Sequence, residues 1–433
     1  MHNPNGNLRL CRTVAVGLVL LLAPEKADAE PFVFKDQELS FQLLRVIGAT
    51  ASGGADVGEC LVAARNTKPG SDESWYEAWH KKADELDGQA KAFLAAGHRQ
   101  SAREAFFRAC NYYRNAEFFL HADPHDPRIL KTARRSRDAF LQAARLSETA
   151  IRPVRIPFEG TTLPGYLCLD GSGQKKPLLL AQTGFDGTGE ELYFQIARFA
   201  NERGYHCLIF EGPGQGMALR EQNLLFRPNW ETVVTPVVDF ALKQPEVEGN
   251  KIALIGYSMG GYLAPRAAAF EPRISALIAD GGVFNFHAST VADLGPNVEA
   301  ILDDPQQAKV LDKDILAAMP KNTKARWFFN DGMWKFGAKT PSALLRKTRP
   351  YNLKECADKI GCPTLIIDGE LDTLIPGQAK KLFSVLKCPK DYHLFTAEEG
   401  AGSHCQVGAW LLSSEVILNW LDRTFACSND RSE

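Results

Sequence analysis

The sequence predicts an α/β protein: an eight-stranded, mostly parallel sheet with helices on both faces, preceded by a helical N-terminal cap and interrupted by a helical insertion. Three observations carry that expectation. From Ile151 onward, short aliphatic runs alternate with amphipathic stretches, the pattern of strands joined by crossover helices. Before it, from about Ser74 to Thr149, apolar residues recur at helical spacing among many Ala, Arg and Glu. Between Gly282 and Cys362, about 80 residues pass without a clear strand and include Trp327-Phe328-Phe329 and Trp334. Stretches of that length inside an α/β domain are usually functional covers.

In chain order, residues 1–29 read as an export signal. Arg9 and Arg12 precede an apolar run from Thr13 to Ala23, and Ala27-Asp28-Ala29 offers a small-x-small cleavage pattern. The run falls short of the roughly 20 apolar residues that span a bilayer. A buried N-terminal helix stopped at Pro24 is the alternative. The signal reading predicts a secreted or periplasmic protein; the alternative predicts a cytoplasmic one. Residues 30–149 are then the cap, 150–283 the first part of the sheet domain, 284–361 a lid and 362–433 the second part. Candidate strands are Val154 to Phe158, Gly165 to Leu169, Pro177 to Gln182, His206 to Phe210, Lys251 to Tyr257, Ile274 to Ala279, Pro363 to Asp368 and Tyr392 to Thr396. The first two, joined through Gly160 to Pro164, form an antiparallel hairpin. Helical stretches at Glu191 to Arg203, Trp230 to Lys243, Tyr262 to Phe270, Gly377 to Leu386 and Val407 to Thr424 separate the others.

The 433 residues carry 50 Lys+Arg against 52 Asp+Glu, a formal charge of -2, with no dense basic block, which argues against nucleic acid as a partner. Of the 10 cysteines, Cys11 lies in the expected signal, so an odd number remains and no complete internal pairing exists. No CxxC or Cys/His cluster has metal-ligand spacing, so no metal is expected. The loop Glu211-Gly212-Pro213-Gly214-Gln215-Gly216 lacks both the GxxxxGK[ST] and GxGxxG orders, and no helix is expected directly after it. It reads as a shaped turn beside the site, and no cofactor is expected. The partner is a small molecule; a homodimer stays open.

The sharpest chemical signal is Gly256-Tyr257-Ser258-Met259-Gly260-Gly261 between a strand and a helix. A serine on that tight turn is held above the sheet, and flanking glycines permit the strained backbone. Its hydroxyl needs a base, and the base needs an acid that fixes its tautomer, in the chain order Ser, acid, His. Leu365 to Asp372 is an apolar strand ending in three carboxylates, of which Asp372 lies beyond the turn; Asp368 is the competitor. His404, in the glycine-bearing loop before the final helix, is the one histidine of nine with both order and placement. His121 and His125 belong to the helical half and are secondary pocket candidates. The oxyanion donors are the backbone N–H groups of Met259, which follows the nucleophile, and Phe185, in the loop Gln182-Thr183-Gly184-Phe185-Asp186-Gly187.

Together these motifs resemble the α/β-hydrolase superfamily. Ala102 to Arg114, Gly184-Phe185-Asp186-Gly187 and Glu211 to Gly216 are similar to the branch that holds dihydroxypseudooxynicotine hydrolase, the FrsA-like esterases and fungal hydrolases that shorten or release polyketide chains. The resemblance covers about Phe34 to Phe425. It implies a helical cap, a Ser258/Asp372/His404 triad, and cleavage of an ester or of a carbon–carbon bond beside a ketone. It also implies that Asp186 takes the place of an oxyanion-loop acid, one methylene shorter than the Glu of the nicotine-pathway enzyme. Tyr113 and Arg114 are candidate substrate contacts, although consecutive helical residues cannot all face one pocket.

The expected function is thus a cofactor-free serine hydrolase acting on a small, apolar or aromatic ester or ketone. An acyltransferase on the same triad and a non-catalytic binding module are the alternatives.

Overall fold

Two strands, β1 (Ile151–Phe158) and β2 (Thr161–Cys168), pair antiparallel around the turn Glu159-Gly160. Both turn residues have positive φ, 43° and 77°, the conformation that matches the twist of a tight hairpin. They join β3 (Lys176–Gln182), β4 (His206–Phe210), β5 (Val247–Tyr257), β6 (Ala276–Asp280), β7 (Thr364–Gly369) and β8 (Lys390–Phe395) in one sheet, ordered β1-β2-β4-β3-β5-β6-β7-β8. β2 runs against both of its neighbours, and every other pairing is parallel. All eight strands stand where the hydrophobic runs place them. The computed structural model describes residues 32–429, so the export signal expected over residues 1–29 lies outside the described residues.

The middle stretches of the central strands, Leu178 to Ala181, Cys207 to Phe210, Ile252 to Ile255 and Ala276 to Ala279, are apolar at consecutive positions because both faces are covered. Leu179, Ala181, Ile209 and Ile255 point into one core with the N-terminal helices, whereas Leu178, Leu180, Leu208 and Leu254 point into a second core on the opposite face. The N-terminal layer is α1 (Gln37–Gly48), α2 (Val57–Arg65), α3 (Asp72–Ala95), α4 (Arg99–Ala116) and α5 (Pro127–Leu146). Three of these starts are capped by side chains as follows: Asp36 accepts from the Leu39 N–H, Ser71 from that of Ser74, and Asp126 from that of Arg128, with Pro127 in the first helical position. Helix therefore begins well before Ser74. Leu39, Leu43 and Val46, at i, i+4 and i+7, are the buried stripe of α1.

Past the hairpin, the chain forms a helical segment over 189–202 and then α6 (Gly216–Gln222), α7 (Glu231–Ala241) and α8 (Gly260–Ala268). The insertion holds α9 (Phe286–Val291), α10 (Val298–Asp303), α11 (Pro305–Ala318), α12 (Thr323–Lys335) and α13 (Pro341–Thr348); α14 (Gln378–Val385) and α15 (Trp410–Asn429) follow. No helix among the described residues is long and apolar enough to cross a membrane.

One sequence expectation is corrected here. A helix, α6, does start directly after the glycine-rich loop. Its cap is not local, which is why no signal precedes it: the buried Glu211 carboxylate accepts from the Met217 N–H at 2.7 Å and from the Gly189 N–H at 2.7 Å. The protein's own carboxylate thus occupies the position an anion would take, which disfavours a phosphate there. All nine cysteines among the described residues are free.

Candidate active site

The site lies at the carboxyl edge of the parallel strands, where loops from β3, β5, β7 and β8 converge. Ser258 follows β5 directly and holds φ at 60°, a left-handed conformation that a non-glycine residue adopts only when its surroundings enforce it. The enforcing bonds are visible. The Ser258 N–H donates to Asp280 O at 2.9 Å, and the Gly261 N–H donates to Ser258 O at 2.7 Å. Three glycines make room for this turn. A Cβ on Gly256 would stand 2.1 Å from Gly260 O, one on Gly260 2.8 Å from Thr183 O, and one on Gly184 2.4 Å from Tyr257 O. Gly256→Ala is therefore expected to lose about 3 kcal/mol or more in urea unfolding, because the clash is with backbone that has nowhere to move. Survival of wild-type stability would mean that this turn is built differently.

His404 sits in a single turn of 3-10 helix between β8 and α15, followed by Cys405 and Gln406 at φ 49° and 48°. Its Nε2 is 2.8 Å from Ser258 Oγ, and its Nδ1 is 2.6 Å from Asp372 Oδ2. The other Asp372 oxygen accepts from the N–H groups of Leu374 and Ile375 at 2.9 and 3.3 Å. Asp368 is engaged elsewhere, by the Tyr392 hydroxyl at 2.7 Å and the Gly369 N–H at 3.0 Å. The structure therefore brings Ser258, His404 and Asp372 together and leaves Asp368 out.

Burial disfavours charge on both members of the imidazole–carboxylate pair, yet their mutual attraction and hydrogen bond prevail: His404 is held well above the ordinary imidazole range and Asp372 below the ordinary carboxylate range. Cys405 Sγ, 3.6 Å from His404 Nε2, is the nearest competing nucleophile. Burial pushes its thiol up to about 11, so it stays protonated at neutral pH. Behind the histidine, burial likewise lifts the Asp280 carboxyl to about 7.

Ser258 and His404 open into a cavity whose empty space, open mouth included, is about 540 Å³. Phe185 and Asp186 line it, beside residues from two elements far apart in sequence: Glu38, Phe41, Gln42 and Arg45 of α1, and Trp327 of α12. Met259 is buried next to Ser258. Asp186 is ion-paired with Arg45 at 3.2 Å, and Arg45 also makes two bonds of 2.6 Å to Glu191. Burial pushes the Glu38 carboxyl up to about 7, although Gln42 donates to it at 2.8 Å, and the negative charge of Asp186 adds to the rise.

Two expected contacts are not in this cavity. The Tyr113 hydroxyl donates to Asp84 of α3 at 2.6 Å, and its ring lies under Arg135 of α5. Arg114 is buried behind the site against Glu191 at 3.5 Å. Consecutive residues on a helix diverge by about 100°. α1 packs against α4, and neither Tyr113 nor Arg114 lines the cavity. His121 is likewise buried in an ion network with Glu117 and Asp331, and His125 is exposed.

Residues 178–407 match the alpha/beta hydrolase family. The hydrolase LUC6 of Fusarium sp is 37% identical over 92% of this chain and 99% of its own length. The chain belongs to the alpha/beta hydrolase family. This α/β-hydrolase is also 36% identical to the 20-hydroxy-prefusarin hydrolase FUS2 of Gibberella moniliformis, over 92% of this chain and 99% of that one. The crystal structure of the 2,6-dihydroxy-pseudo-oxynicotine hydrolase superposes with a TM-score of 0.67 at 21% identity, covering 86% of this chain and 94% of that one, which is a likeness of fold. The family membership makes the chain an enzyme of the hydrolase class. What sequence reasoning missed in this α/β-hydrolase is the contribution of α1. Its signal was present as the Asp36 cap and the Leu39/Leu43/Val46 stripe, but nothing local says that the opposite edge of that stripe faces Ser258.

Proposed function

We propose that this α/β-hydrolase is a serine hydrolase that cleaves an ester, or a carbon–carbon bond beside a ketone, in a small apolar or aromatic substrate. The supporting observation is the continuous hydrogen-bonded line Ser258 Oγ to His404 Nε2 and His404 Nδ1 to Asp372, opening into an aromatic-walled cavity. Ser258 Oγ attacks the carbonyl carbon while His404 Nε2 takes its proton. The oxyanion forms against the N–H groups of Met259 and Phe185. Collapse breaks the C–O or C–C bond, and His404 returns the proton to the alcohol or to the departing carbon, leaving an acyl group on Ser258. Water, deprotonated by His404, then releases the acid. Names of relatives such as the 20-hydroxy-prefusarin hydrolase agree with a hydrolytic role on small molecules.

Asp186 and Glu38 are the polar groups that distinguish the two bond types. A departing carbon needs its adjacent ketone oxygen stabilised as an enolate, and the Glu38 carboxyl, whose protonated form burial and the neighbouring Asp186 charge favour, can donate to that oxygen, whereas an alkoxide leaving group needs only His404. With p-nitrophenyl esters and β-diketones as substrates, Glu38→Leu and Asp186→Ala are expected to lower diketone kcat/KM by about 10-fold to 100-fold while changing ester turnover less than about threefold. Equal losses on both substrates would favour a plain esterase. Fluorophosphonate labelling, followed by identification of the modified peptide, tests the nucleophile itself; an adduct on any residue but Ser258 rejects the scheme.

A further inference from the structure

The loop that carries Phe185 is gripped from behind by two buried side chains that the mechanism has not used. Gln215 Nε2 donates to Thr183 O at 2.7 Å and to Gly184 O at 3.2 Å, and Lys335 Nζ donates to Phe185 O at 2.8 Å. Three consecutive carbonyls of one loop are thereby tied down. Gln215 is itself fixed, because its Oε1 accepts from the Gly212 N–H at 3.0 Å, and it is 1% exposed. Lys335, 2% exposed, is held by Asp331 at 2.5 Å and stands 4.9 Å from the centre of the Phe185 ring. Asp331 continues through His121 and Glu117 to Arg220.

In a planar trans peptide the C=O and N–H point in opposite directions. Pulling Gly184 C=O toward Gln215 therefore aims the Phe185 N–H to the other side, and holding Phe185 C=O does the same for the Asp186 N–H. Gly184 itself lies against the backbone of Tyr257 and Met259, so the loop has no freedom on its inner side either. A fully buried ammonium is costly to desolvate, and an apolar residue would fill the same volume without that cost. Its geometry, with one bond aimed at a loop carbonyl, accounts for the choice.

We propose that Gln215 and Lys335 are positioning residues that clamp the 183–186 loop so that its N–H groups face the developing oxyanion, and that the Asp331-His121-Glu117-Arg220 chain couples this clamp to the N-terminal helices. The inference rests on the reading of Ser258 as nucleophile. Misplacing a donor by about 1 Å is enough to cost about 100-fold in rate.

Gln215→Met and Lys335→Met keep length and remove the donors. Each is expected to lower kcat about 30-fold to 100-fold with KM within about threefold, and the double variant to lose less than the product of the two. A trifluoromethyl ketone, which forms a tetrahedral oxyanion adduct, should weaken in parallel with kcat, while a carboxylate product analogue keeps its affinity. A merely structural role would shift both ligands or neither. Gln215→Glu, which preserves the bond from Gly212 but sets a carboxylate against two carbonyls, is read in the same way if Gln215→Met does not accumulate. Folded variants with kcat within threefold of wild type, or with tetrahedral and product ligands weakened equally, overturn the clamp. Full turnover by Ser258→Ala would instead overturn the underlying nucleophile reading, so the two failures are separable.

Discussion

Ser258→Ala is expected to lower kcat by at least about 10,000-fold while leaving substrate binding and the cavity unchanged. In the proposed scheme the hydroxyl supplies both the attacking oxygen and the proton that His404 would accept across the 2.8 Å contact, and the neighbouring Cys405 is held as a protonated thiol by burial. Rate should not be the only change. With φ at 60°, Ser258 occupies a backbone well that suits glycine. Ser258→Gly should therefore be inactive yet more stable than Ser258→Ala by about 1 kcal/mol in urea unfolding, because it removes the Cβ from a left-handed position. A strained nucleophile turn trades stability for activity. If Ser258→Gly were the less stable of the two, the strain reading would fail, and if Ser258→Ala kept most of the activity, so would the chemistry.

The pH profile gives the second large effect. General-base attack needs neutral imidazole, and His404 is held above the usual imidazole range by Asp372. Activity should therefore fall as pH drops through a midpoint above about 6.5. Asp372→Asn removes the charge that holds the midpoint up, so the acid limb should move to lower pH while kcat drops about 1,000-fold to 10,000-fold, through loss of the correct tautomer and of imidazolium stabilisation. An unchanged limb in Asp372→Asn would show that another group titrates. Stability moves in the opposite sense to activity over part of this range. The raised His404 value means that its contribution is fully present below the unfolded imidazole value and is lost as pH rises through the folded one. The depressed Asp372 value means that its contribution is present above the unfolded carboxylate value and is lost as pH falls through the folded one. The ion-paired form that most favours the fold is thus the form in which the base is occupied. Chemical denaturation across pH 4 to 9 should show the pair's contribution declining at its upper end, where hydrolysis is increasing.

Glu38 adds a separate window to that curve. Its carboxyl is raised to about 7, so burying it protonated favours the fold below about 4.5, and that contribution declines as pH rises from there toward 7. Glu38→Gln should flatten this segment of the stability curve without moving the acid limb of activity set by His404.

How much of this was legible beforehand depended on whether each feature was local. The eight strands, the hairpin, the glycine-flanked serine turn and the order Ser258, Asp372, His404 are written in short segments whose hydrophobic period or turn chemistry acts within a few residues. They could be read one at a time, and the constraint that loops gather at the carboxyl ends of parallel strands joined them. Asp372 is distinguished from Asp368 in the sequence by one feature, its position past the turn. In the structure Asp372 bonds to His404, while Asp368, at the strand end, is engaged by Tyr392 on the neighbouring strand.

Other features had no local signature. The start of α6 depends on a carboxylate six residues before Met217 in sequence, whose bond also reaches Gly189. Tyr113 and Arg114 belong to the last part of α4, where every residue from Ala109 to Ala116 is buried, and sequence spacing does not say which neighbour covers which face. Glu38 and Arg45 reach the Ser258 cavity because α1 is packed over the sheet edge, about 200 residues away along the chain. Sequence by itself determined the strands, their order and the candidate Ser258, Asp372 and His404, since these follow from dihedral preference, hydrophobic period and turn chemistry. Tertiary structure alone decided which residues wall the cavity, which carboxyls are lifted or lowered, and what grips the oxyanion loop, because burial and charge proximity exist only once distant segments share the same volume.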